Sequence, residues 1–134
     1  MNAVETALYT ALNGEAAITA LLASATSIFN QLAPQGSSYD MVVFAQASGV
    51  EENETPTRSR DLVYMIKGVS DTGFLAAGGI DTQIDTLLHD SALTVTGYTN
   101  FWLARESDLR FLETTAEGEN YYHAGALYRF RITQ

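Results

Sequence analysis

No cysteine occurs anywhere in the chain, and that absence excludes disulfide bridges, thiolate nucleophiles and cysteine-based zinc or iron–sulfur centres. It fits synthesis in a reducing cytoplasm. Basic residues are scarce: 7 Lys plus Arg stand against 16 Asp plus Glu, a formal charge of −9. A surface of that sign repels a phosphate backbone, so sequence-specific nucleic-acid binding is not expected. No apolar run approaches the roughly 20 residues that cross a bilayer. No basic segment leads into an apolar one at the N-terminus, so neither a membrane contact nor a secretion leader is expected, and the mature chain should start near Met1.

The composition that remains is that of a folded domain. Hydrophobic residues make up 46% and charged residues 17%, too apolar a mixture for disorder. A length of 134 residues predicts one domain, residues 1–134, with one core.

Hydrophobic spacing supplies the elements. Val4, Leu8 and Leu12 recur every fourth position and predict a short amphipathic helix. Asn13-Gly14 should end it, with Gly14 in the left-handed conformation that closes many helices. Ile18, Leu21, Leu22 and Ala25 predict a second helix from about Glu15 to Ser24. Ile28 to Leu32 suggests a short strand, and the loop residues Ala33 to Ser38 follow. Met41 to Ala47 reads as a strand covered on both faces, because its β-formers show no polar alternation. The polar stretch from Gly49 to Ser59 has no period and reads as a loop joining it to a strand from Asp61 to Val69.

A helix from Phe74 to His89 carries Ala77, Ile80, Ile84, Leu87 and Leu88 as its apolar stripe, with Ser70 or Asp71 as the expected cap. Gly78-Gly79 conflicts with a helix interior, at about 1 kcal/mol each relative to Ala. The glycines call for a close backbone neighbour or a restart near Ile80. The chain ends in a long hairpin, Gly97 to about Leu112 and Tyr121 to Ile132, joined by Thr114 to Asn120. Strict alternation places Tyr128, Phe130 and Ile132 on one face of the last strand, with Leu127, Arg129 and Arg131 on the other. Phe101 and Trp102 are adjacent and should point to opposite faces, leaving large aromatics for a subunit contact. The expected fold is α+β, a mostly antiparallel sheet packed by helices, in the order α-α-β-β-β-α-β-β.

No catalytic constellation accompanies this fold. Asp81, Asp85 and His89 share a helix face with oxygen and nitrogen ligand chemistry, but a solvated helix face explains them as well, and no metal or other cofactor is expected. His89 and His123 lack the Gly-x-Ser-x-Gly context of a nucleophile elbow. Gly68, Gly73, Gly78 and Gly79 match neither a Walker nor a dinucleotide pattern. The loop residues Glu51, Glu52, Glu54 and Arg58, together with Glu117 and Glu119, are candidates for meeting a partner. Two guanidinium groups on one strand face, Arg129 and Arg131, are suited to carboxylates of a neighbouring subunit or of the same chain.

Three stretches carry a resemblance. They are Ala7-Leu-Tyr-Thr-Ala-Leu12 to Ala17-Ile-Thr-Ala-Leu-Leu22, continuing through Ile28 and Ala33-Pro-Gln-Gly36 to Val42-Val-Phe44; the strand ending at Val69 with the helix ending in Ile84-Asp-Thr-Leu-Leu88; and Gly125-Ala-Leu-Tyr-Arg-Phe-Arg-Ile132. In this order the chain resembles the short tail-completion or tail-terminator proteins of long-tailed phages, prophages and gene-transfer particles. It departs from them where Ser38-Tyr-Asp-Met-Val42 lacks their proline, and its Glu-rich loop is distinctive.

The resemblance implies a structural, non-enzymatic virion protein of the tail or neck. Its partners would be other copies of itself in a ring, usually a hexamer, the tail tube protein and the neck or connector protein, with DNA only as passing cargo. A neck protein of the same fold is the near alternative. The alternative of another class is a small enzyme or ligand-binding domain, with an apolar pocket between helix and sheet near Tyr64, Trp102 and Tyr128.

Overall fold

A computed structural model describes all 134 residues. The elements are α1 (Asn2–Asn13), α2 (Ala16–Thr19), β1 (Ile28–Asn30), β2 (Met41–Glu51), β3 (Ser59–Ser70), α3 (Phe74–Leu88), β4 (Thr99–Thr114) and β5 (Asn120–Thr133). Their order is the expected one. They form a five-stranded sheet in the order β1-β2-β3-β5-β4. β1 runs parallel to β2, and the remaining pairs are antiparallel.

The helices lie on one face of this sheet. Val4, Leu8 and Leu12 of α1 and Ile80, Ile84 and Leu88 of α3 are buried in one cluster with Tyr64, Ile66, Tyr128 and Phe130 of the strands. α3 comes unusually close at Gly68, where an added Cβ would lie 2.7 Å from Cβ of Ile80 and 3.0 Å from the carbonyl oxygen of Ala77. Glycine at that point lets the helix lie against the strand. The apolar pocket expected near Tyr64, Trp102 and Tyr128 is absent: both tyrosines are fully buried and the helix-to-sheet space is packed, while Trp102 is half-exposed.

Several local expectations are corrected. α2 stops at Thr19 instead of Ser24. The N–H of Ala23 donates to the carbonyl of Asp40, and the hydroxyls of Ser24 and Ser27 accept N–H groups from Thr26 and Ser24. These bonds replace helical ones, as short polar side chains do near their own backbone. Gly14 is right-handed, at φ −81° and ψ −8°, because the chain passes almost directly into α2. The position capping α3 is Gly73, with no side-chain bond; the Ser70 hydroxyl instead accepts from the Thr72 N–H. α3 runs unbroken through Gly78-Gly79. The neighbour there is a side chain, the Arg110 guanidinium, 3.1 Å from where a Gly78 Cβ would stand. β2 is covered only in its first half, Met41 to Phe44, and is exposed from Gln46 onward.

The pairing of β4 with β5 shifts register between Asn100 and Trp102, so that Phe101 is an extra residue. Simple alternation does not run through such a bulge. Phe101 and Trp102 are both exposed, at 57% and 50%.

Candidate assembly surface

The acidic row of α3 is occupied by a guanidinium. Arg105 of β4 donates from Nη1 to Oδ1 of Asp81 at 2.9 Å and from Nη2 to Oδ2 at 3.0 Å. Its Nη1 also lies 3.8 Å from Asp85, and its backbone N–H donates to Nδ1 of His89 at 3.1 Å. The Asp81 bonds hold the Arg105 pKa above its ordinary value. The Tyr128 hydroxyl accepts from Arg105 and donates to Asp85, both at 3.3 Å, and burial pushes its ionisation upward. No group of three His, Cys, Asp or Glu side chains is arranged to hold a metal ion. This constellation fastens the edge strand to the helix.

Arg129 and Arg131 lie on the sheet face turned away from the helices. Arg129 donates from Nη1 to Asp61 at 2.7 Å and from Nε to Glu106 at 2.6 Å. Arg131 approaches the same Asp61 oxygen from 3.6 Å and leaves its side chain 45% exposed. It sits opposite Trp102 in the β4/β5 register. The loop from Glu52 to Arg58 belongs to this end of the sheet, since the Gln134 N–H donates to the Arg58 carbonyl. Arg58 forms an ion pair with Glu51 across the mouth of that loop, and Glu52 and Glu54 are exposed.

The opposite end carries the β4/β5 turn with Glu117 and Glu119 exposed. The Tyr121 hydroxyl donates to Glu119, and that bond pushes its pKa up to about 12. Beside this turn the bare sheet face holds a groove of about 780 Å³ between the Gln31–Ser37 loop and the end of β4. Met41, Val43 and Val69 form its floor, and Phe111 and Tyr121 its sides. Tyr121 stacks on Tyr39 at 4.7 Å, and Phe111 stacks on the His123 ring at 4.3 Å. His123 contacts Glu113 from Nε2 at 3.0 Å, while its buried Nδ1 has no partner. Burial pushes the pKa of His123 and that of Lys67 downward. Sequence reasoning missed this groove. Its one local signal was the non-alternating run Met41 to Phe44, which marks a strand with apolar side chains on both faces.

The surface thus has two poles. The family model for tail completion protein gp17 matches residues 6–133. The chain belongs to that family. Among solved structures, a chain in the virion of a native gene transfer agent particle matches with a TM-score of 0.80 and 14% identity, over 98% of this chain and 95% of that one. At that identity the likeness establishes a shared fold. No curated protein matches the sequence. As a tail completion protein, the chain is a structural component of the virion tail.

Proposed function

We propose that this tail completion protein closes as a ring, a hexamer by family resemblance, on the last ring of the tail tube, where it stops growth and offers the surface that meets the head. The observation that carries the reading is family membership across residues 6–133. The exposed large apolar side chains Leu32, Phe101, Trp102, Phe111 and Leu112 support it, because exposed apolar surface marks sites that another subunit covers. Phe101, Trp102, Arg129 and Arg131 are assigned to contacts between subunits. The loops with Glu51, Glu52, Glu54 and Arg58, and with Glu117 and Glu119, are assigned to the tube and the neck. The role is geometric and not catalytic. A charge of −9 suits a passage through which DNA moves without adhering.

The test is particle mass by light scattering over a wide concentration range, together with sedimentation and lengthening assays on purified tail tubes. Closed rings, or binding to tube ends that blocks further lengthening, is the expected result. A monomer that ignores tube ends overturns the proposal. Binding to the head connector without tube binding replaces it with a neck role.

A further inference from the structure

We propose that the contact between neighbouring copies is a knob in a groove: Phe101 and Trp102 of one copy seat in the groove beneath the Gln31–Ser37 loop of the next. The inference rests on the ring reading above and specifies its contact. The knob is two adjacent aromatics, 57% and 50% exposed, at a bulge in an edge strand. Bulges re-aim side chains at strand edges, and large exposed aromatics are the residues that anchor interfaces. The groove, at about 780 Å³, falls within the roughly 300–1,000 Å³ of cavities that enclose a ligand. Over the buried floor of Met41, Val43 and Val69, the exposed side chains of Leu32, Phe111 and Leu112 offer apolar surface to both rings.

Placement decides the occupant. Phe101 and the groove residue Phe111 lie ten residues apart on β4, about 33 Å along an extended strand, so no copy can fill its own groove. A contact between two different patches of the same molecule is heterologous, the kind that propagates around a ring.

Charge gives the same answer. The loosely held Arg131 stands opposite Trp102, while Glu113, 56% exposed, stands beside the groove. Head-to-tail docking brings these unlike charges together, whereas knob against knob opposes arginines.

The absence of native cysteine makes site-specific cross-linking the direct test. Arg131→Cys and Glu113→Cys variants, which leave the aromatics in place, are mixed and oxidised alone and in the presence of purified tail tubes. The expected result is a disulfide between unlike variants, a ladder of multimers from the double variant, and loss of cross-linking by about tenfold or more when Trp102→Ala is added, the effect of removing an anchor. Trp102→Ala should leave the urea midpoint unchanged, separating docking from folding. Association, in solution or on tube ends, with no cross-link between unlike variants overturns this contact and leaves the ring reading standing. A chain that associates with neither itself nor tube ends overturns both.

Discussion

Arg105 and Asp81, twenty-four residues apart, form a two-bond ion pair between the edge strand β4 and helix α3. The two side chains are 20% and 17% exposed, so water screens the pair in part and a neutral replacement leaves a half-buried charge. Asp81→Asn is therefore expected to lower stability by about 1–2 kcal/mol, near the low end for bonds to charged groups. Urea unfolding measures the loss, and a cycle with Arg105→Met should show positive coupling. Independent, additive effects of the two substitutions would mean that the pair does not fasten the strand.

Gly125 and Gly68 set how closely the layers and strands approach. A Cβ at Gly125 would lie 2.3 Å from the carbonyl oxygen of Ile66 and 2.5 Å from Cα of Lys67, both backbone atoms of the adjacent strand. A Cβ at Gly68 meets Ile80 on a helix that can shift. Gly125→Ala is expected to be the more damaging, costing about 3 kcal/mol or more, and Gly68→Ala about 1–3 kcal/mol. Circular dichroism and soluble yield rank them; the reverse order would show that β3 and β5 slide more readily than α3 lifts.

Periodic elements were the legible part of this molecule. The one-in-four stripe Val4, Leu8, Leu12 and the alternation Tyr128, Phe130, Ile132 are all fully buried, because a repeating pattern specifies which face meets the core wherever that core lies. The short helix α2 was overestimated, since Ile18, Leu21 and Leu22 fit a helix but the bond from Ala23 to Asp40 comes from a distant segment. The bulge at Phe101 depends on the register of β5, which no window around Phe101 contains. The groove is still less local: it joins residues 31–43, 67–69 and 111–123, which meet only after the sheet forms. Of the candidate surface, composition disclosed the unusual aromatics and arginines. Asp61 as the carboxylate for Arg129, sixty-eight residues away, had no sequence signal.

His123 is expected to add to the acid dependence of the fold. Burial lowers its pKa below the ordinary 6.5, outweighing Glu113, which raises it, and aided by Lys67, which lowers it. The unfolded chain then binds the proton more readily than the folded one. Stability is complete above about pH 6.5 and declines as pH falls from there toward the folded value, where the decline stops. Urea midpoints between about pH 7 and pH 5 should fall in the native chain and fall less in His123→Asn. An equal slope in both chains would assign the dependence to other groups.

Asp61 is the more buried member of its ion cluster, with a side chain only 9% exposed; Arg129 donates to its Oδ2, Arg131 stands 3.6 Å from that oxygen, and its buried Oδ1 has no partner. The two arginines therefore have separable roles. Arg129→Met removes the close partner of a buried carboxylate and should lower the urea midpoint even in a monomer, because a buried charge left unpaired is costly. Arg131→Met removes a half-exposed guanidinium whose pairing inside the chain is weak. It should leave the midpoint of the monomer almost unchanged and act on association, with an effect that shrinks as salt is raised. Measuring urea midpoints and association for both variants at low and high salt separates folding from docking. If Arg131→Met destabilised the isolated chain as much as Arg129→Met, its guanidinium would belong to the internal cluster and be unavailable to a neighbouring copy.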